Sequence, residues 1–389
     1  MKIEKGSMFL GRRLDLYRHG ADPKWGYPED QTDTFAVLLP KDYDETKSYP
    51  LYVVFHSAGH GMFTCLMCLY GEGNHDIYHV PDDMIGLFPD CLENYQKSTN
   101  WWWGGRTAFE KEPTDRSGTE TQPVEKRVLD TVKWTMEHYP VDSERVYAVG
   151  NSMGGTGALG NCLTHGDIFA AVKVNVPAGV NHAMDRLAIA GDAPEGFSIP
   201  DLPVVVDYSA QNDQWSEGHE QLYKAMREKD WAFYGFWGNF GHENNHGKIK
   251  EYNDIIEAFN PFEIKLHEAY PAFTNATTDD KNPWENDRTN EAAGQVNGYF
   301  RWKTIRDDAD GIEMELRLLG QEEWESRLTF PKESVADVTL RRLQKFAPKP
   351  GEKLKYTFGD KSGEIGFDGK VKVEGLTVTT EAKVLKITK

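Results

Sequence analysis

The stretch RVYAVGNSMGGTGAL, Arg145 to Leu159, sets a serine between glycines where an apolar run gives way to small residues. A buried strand that ends in Gly150-Asn151-Ser152-Met153-Gly154 and passes directly into a helix has to bend sharply, and the glycines remove side chains that would collide in the bend. The bend pushes the Ser152 hydroxyl into the open, which makes it a candidate nucleophile. Such a hydroxyl attacks poorly until an imidazole takes its proton, and the imidazole needs a carboxylate to hold its tautomer and stabilise its charge. Two later segments supply both groups. VVVDYSAQNDQW carries Asp213 in the loop after the run Val204 to Tyr208, and FYGFWGNFGHENNH carries His242 after the next apolar run. The order Ser, Asp, His, each at the carboxyl end of a different strand, is expected of a nucleophile elbow on a doubly wound sheet.

An oxyanion needs two backbone N–H donors, one from the residue after the nucleophile and one from a loop after an early strand. Met153 supplies the first. LYVVFHSAGHGM places His56-Ser57-Ala58-Gly59 after the second apolar strand, and Ala58 is assigned as the second donor, with Ser57 as its neighbour in contention. Asp207 is the alternative acid and His246 the alternative base. The segment HENNH, His242 to His246, also spells the H-E-x-x-H zinc protease motif. That motif works on a helix, where residues four apart share a face. Gly238, Asn239, Gly241, Asn244, Asn245 and Gly247 crowd the segment with poor helix formers, so a loop is expected and no metal site. TNWWWGGR places Trp101, Trp102 and Trp103 in a long loop on the side of the sheet that carries active sites. Indole faces stack on sugar or aromatic rings. Packing within the loop is the ordinary role for at least two of these tryptophans; Trp103, with Trp215 beyond the candidate acid and His56, is assigned to the substrate. Cys65, Cys68, Cys91 and Cys162 are too few for a disulfide scaffold, and the single C-x-x-C lacks the second pair of a structural zinc site.

The elements that must position these groups alternate in kind. Apolar runs at Phe35–Leu39, Leu51–Phe55, Met84–Phe88, Val146–Val149, Val172–Val176, Val204–Tyr208 and Ala232–Trp237 read as strands buried on both faces. Val124, Val128, Val132 and Met136 recur every fourth residue, so PVEKRVLDTVKWTMEHY reads as a helix with one core face, and His219–Lys229 and Lys248–Phe259 as two more. An α/β fold with a doubly wound, mostly parallel sheet is therefore expected over residues 1–260. Residues 261–295 are polar with three prolines and read as a connector. Beyond them GIEMELRLL, VADVTLRRL, KLKYTF, KVKVEGLTVTT and KVLKIT alternate apolar and polar residues between turn signals, which predicts a separately folding β-sandwich over 296–389.

The elbow GNSMGG, the HSAG loop, Asp213 and His242 together resemble the α/β-hydrolase superfamily, over roughly residues 30 to 260. Within it they look like the esterases related to feruloyl esterases, acetylxylan esterases and polyhydroxybutyrate depolymerases. Many such relatives carry His-Gly-Gly-Gly or His-Gly where this chain has His56-Ser57. The resemblance implies a cofactor-free serine esterase acting on acetyl or feruloyl esters of plant polysaccharides, in a secreted or periplasmic setting. A serine peptidase of the same fold and a carbohydrate-binding protein without turnover are the alternatives. A formal charge of −18 over 389 residues argues against a nucleic-acid partner, which needs a basic footprint. No run of eighteen apolar residues is present and the first twenty residues lack an apolar core segment, so neither a membrane span nor a signal peptide is expected in this chain. Oligomeric state has no signature in the sequence.

Overall fold

The structure is a computed structural model that describes residues 2–20, 22–27, 32–73, 75–93, 98–99, 101–103, 121–189, 201–243, 255, 258–281 and 293–389. Strands β1 (Lys2–Phe9), β2 (Arg12–Gly20), β3 (Thr32–Leu38), β4 (Tyr49–Phe55), β5 (Ile85–Pro89), β8 (Val141–Asn151), β9 (Ala171–Asn175), β10 (Val204–Ala210), β11 (Phe233–Gly238) and β13 (Gly294–Val296) build one sheet. Their order is β1-β2-β3-β5-β4-β8-β9-β10-β11-β13. The strands from β5 to β11 run parallel to their neighbours. Antiparallel strands complete both sides of the sheet. The short strands β6 (Leu92–Glu93) and β7 (Ser98–Thr99) pair with each other.

Both faces of the parallel region are covered, which explains why its strands are apolar throughout. Leu51, Val53 and Phe55 of β4 join one core cluster, while the alternate residues Tyr52 and Val54 join the other. Three helices pack residues into the first cluster: α2 (Pro123–His138) through Val124, Val128 and Val132, α3 (Met153–Cys162) through Ala158 and Leu159, and α5 (His219–Glu228) through Leu222 and Met226. Two short helices, α1 (Met62–Met67) and α4 (Asn181–Arg186), follow β4 and β9. A capping box starts α2: the Gln122 side chain accepts from the Glu125 backbone and the Glu125 side chain accepts from Gln122 N. The expected helix at Lys248–Phe259 lies almost wholly outside the described residues.

Two further antiparallel sheets follow. One orders β12 (Tyr270–Thr274), β16 (Glu333–Arg341) and β19 (Val371–Thr379) as β12-β16-β19. The other orders β14 (Phe300–Asp307), β15 (Gly311–Leu318), β17 (Lys353–Phe358), β18 (Lys361–Gly366) and β20 (Lys383–Thr388) as β14-β15-β20-β17-β18. Ile312, Met314, Leu316 and Leu318 are all fully buried, as their alternation predicts. Residues 261–295 are more than a tether, since β12 pairs with β16 and β13 begins at Gly294 to extend the main sheet beside β11. Val338, Leu340, Val371 and Val373 share one apolar cluster with Tyr52, Val54 and Tyr147 of the main sheet. The carboxyl-terminal sheets are thus packed against the α/β region.

Candidate active site

Strand β8 ends at Asn151 and helix α3 starts at Met153, which leaves Ser152 alone in the bend. Its backbone has φ 56° and ψ −122°, a sparsely populated positive-φ conformation that costs a non-glycine residue about 1–3 kcal/mol. Surrounding bonds hold it there. Ser152 N donates to Asn175 O at 3.0 Å, and Ser152 O accepts from Ala178 N at 3.0 Å. The glycines make the bend possible by close approach: a methyl at Gly150 would overlap the backbone of Gly154, and one at Gly154 would overlap the carbonyls of Phe55 and His56.

Beyond β11, Gly241 takes φ 67° and its N–H donates to Asn212 Oδ1 at 2.8 Å, which ties the loop of His242 to the loop of Asp213. His242 Nδ1 lies 2.7 Å from Asp213 Oδ2, and His242 Nε2 lies 2.7 Å from Ser152 Oγ. A carboxylate only accepts, so Nδ1 carries the proton and the Nε2 lone pair faces the serine hydroxyl. Asp213 is itself buried, and its other oxygen accepts from Trp215 N at 2.8 Å. The alternative acid Asp207 points elsewhere: fully buried in β10, it accepts from Ser209 Oγ at 3.0 Å. His246 lies outside the described residues.

Met153 opens α3, so its N–H has no intrahelical acceptor. In the loop after β4, Ser57 N already donates to Tyr78 Oη at 2.7 Å, which leaves Ser57 unfit to serve an oxyanion. Ala58, next in the chain, is exposed. Ser57 Oγ also donates to Asn151 O at 2.9 Å, so the Ala58 loop is bonded directly to the elbow.

Two residues assigned to the substrate from sequence lie in the interior. His56 is fully buried, with Nε2 3.3 Å from Asp90 Oδ1 and its ring edge-on to Trp102 at 4.9 Å. Trp103 is buried beside Trp101 at 4.8 Å and His182 at 5.8 Å. Neither presents a face for stacking. All three tryptophans are core, and Trp102 fits because Gly157 of α3 leaves room for its ring. Its Nε1 donates to His56 O at 3.0 Å, bracing the loop on the side away from Tyr78. Trp215 remains at the surface at 37% exposure, its ring 6.3 Å from that of His242. Sequence reasoning did not single out Tyr78, Asn151 or Asn212, whose partners come from distant parts of the chain.

Residues 30–222, which hold the elbow and the candidate acid, match the family model described as "Putative esterase". That match spans 193 of the 389 residues, and over it the chain is similar to an esterase family. Among solved structures it is similar to an S-formylglutathione hydrolase from Agrobacterium tumefaciens, with 15% identity over 62% of this chain and 92% of that one and a TM-score of 0.42. It is also similar to a ferulic acid esterase from the anaerobic fungus Anaeromyces mucronatus, with 16% identity over 61% of this chain and 86% of that one and a TM-score of 0.41. A Bacillus cereus carboxylesterase shares 14% identity over 58% of this chain and 94% of that one, with a TM-score of 0.40. No curated protein matches the sequence.

Proposed function

We propose that the protein is a serine ester hydrolase that works through Ser152, His242 and Asp213 and an acyl-enzyme intermediate. The observation that carries this reading is the unbroken line of two 2.7 Å contacts from Ser152 Oγ through the His242 ring to Asp213. Ser152 Oγ attacks the ester carbonyl carbon as its proton passes to His242 Nε2, and Asp213 stabilises the imidazolium. The Met153 and Ala58 N–H groups receive the oxyanion. His242 returns the proton to the departing alkoxide, then takes one from water. The resulting hydroxide releases the acid from Ser152, which regains its proton.

For the substrate we infer acetyl or feruloyl esters linked to plant polysaccharides. The family resemblance supports this choice, together with the exposed indole of Trp215 beside His242, which offers an aromatic or sugar ring one flat wall. The net charge of −18 favours a neutral over an anionic substrate. Strands β14 to β20 are read as an accessory β-sandwich over 296–389, joined to the catalytic residues 1–260 through 261–295, which lend it β12. A panel of acetylated xylan, methyl ferulate, p-nitrophenyl esters of rising chain length and a peptide anilide tests the assignment. Turnover of the first two above the simple esters is expected; preference for the anilide would make the protein a peptidase.

A further inference from the structure

The C-x-x-C of the sequence has no second Cys pair, yet the fold gives Cys68 two other partners. Cys68 ends the turn of α1, His60 stands in the loop after β4, and His75 precedes the short turn Asp76–Tyr78. The Cys68 Sγ and one nitrogen of each imidazole all lie within 4.8 Å of one another. The two imidazole centroids are 4.6 Å apart. His60 Nδ1 is buried and has no hydrogen-bond partner among the described residues, an arrangement normally avoided unless a ligand completes it.

We propose that His60, Cys68 and His75 form a zinc site, with a fourth position open to water. Two imidazoles and a thiolate are the donor set of a borderline-soft divalent ion, whereas calcium and magnesium take oxygen ligands. With Zn–N about 2.0–2.1 Å and Zn–S about 2.3 Å, a tetrahedral ion places its donors roughly 3.3–3.7 Å apart. All three side chains are half-buried, and rotation about their side-chain bonds closes the remaining distance. Binding expels the thiol proton to solvent as the thiolate ligates.

The site stands apart from the Ser152–His242–Asp213 line but touches what supports it. His75 stacks on Tyr78 at 5.1 Å, and the Tyr78 hydroxyl holds both the N–H and the Oγ of Ser57 at 2.7 Å. Zinc would therefore pin three turns around the loop that carries Ala58. Of the four cysteines, Cys68 alone is half-exposed and the other three are buried, so thiol labelling of the folded chain reports on this residue.

The test uses the full chain, stripped with a chelator and titrated with zinc against a chromophoric indicator, while iodoacetamide labelling of Cys68 is followed by mass spectrometry. One zinc per chain and zinc-dependent protection of Cys68 are expected. His60→Ala, Cys68→Ser and His75→Ala should each weaken binding at least about tenfold. Cobalt in place of zinc should show a thiolate charge-transfer band that Cys68→Ser abolishes. The Ser152→Ala chain should take up zinc as the wild type does, which separates this result from the esterase reading. Absence of uptake by the folded chain, equal uptake by all three variants, or unprotected Cys68 at saturating zinc would overturn the proposal.

Discussion

Gly154 stands so close to Phe55 that the first residues of the nucleophile helix and the last residue of β4 share one backbone contact. Any Cβ at Gly154 would overlap the carbonyl oxygens of Phe55 and His56, and a carbonyl inside a parallel sheet has no rotamer by which to move aside. The distance from Ser152 to the Ala58 loop is set by that contact. Gly154→Ala is expected to lower stability by about 1–3 kcal/mol or more, the usual cost of overpacking, and to reduce turnover of p-nitrophenyl acetate at least about tenfold. Urea denaturation and steady-state kinetics check both. Unchanged midpoint and turnover would mean that the loop is not held to the elbow by this contact.

Asp213 and Asp207 separate the roles of two buried carboxylates. Asp213→Asn keeps the shape but removes the charge facing His242 Nδ1, and the loss should approach the roughly 10⁴-fold known for such a change in a serine protease triad. Asp207→Asn should cost less than about tenfold, because Asp207 bonds to Ser209 within its own strand. Measured kcat values that reverse this ranking would make Asp207 the acid.

Asp207 also carries a pH signature. Burial raises its carboxyl above the ordinary range, with His219 opposing. The folded chain therefore holds this proton more tightly than the unfolded chain, whose carboxyl titrates near about 3.9. The stabilising contribution is complete below that value and is lost as pH rises through the raised folded value. Asp207→Asn cannot ionise and should gain stability relative to the wild type as pH climbs from about 4 towards neutrality. Chemical denaturation at a series of pH values reads this difference; a difference that is constant or shrinks with pH contradicts it.

The carboxyl-terminal sheets are bonded to the α/β region at several points. Lys370 Nζ and Lys372 Nζ reach the two Asp230 oxygens at 2.8 and 2.9 Å, and Arg342 Nη2 donates to Phe169 O at 3.2 Å and Leu202 O at 3.3 Å. A chain ending near residue 290 loses β13 from the main sheet and strips Trp302 from Tyr234 and Phe300 from Phe273. It is expected to aggregate or melt well below the full chain, and scanning calorimetry with size-exclusion chromatography would show this. A soluble, fully active fragment would instead mean that the α/β region folds without the tail.

Much of this arrangement was legible in the sequence because burial on both faces leaves an unmistakable apolar run. All seven predicted strands of the α/β region appear, with ends shifted by a few residues, and Ser152, His242 and Asp213 meet at strand ends as their order implies. The hairpin β1–β2 was missed. Its strands mix Lys and Arg with apolar residues at the rim of the sheet, so its run looks neither buried nor cleanly alternating. Trp103 and His56 were misjudged because composition cannot say which indole packs between Trp101 and His182 or which histidine meets a buried Asp90. His60, Cys68 and His75 sit on three separate turns, so no spacing rule could join them.

The central claim is that His242 relays the proton of Ser152, and pre-steady-state acylation by a p-nitrophenyl ester measures that step alone. His242→Ala and Ser152→Ala should slow acylation equally and by several orders of magnitude, because members of such a unit fail together. His246→Ala should cost less than about tenfold, roughly 1.4 kcal/mol of barrier. A larger loss at His246 than at His242, or near-normal acylation in a folded Ser152→Ala chain, would contradict the account.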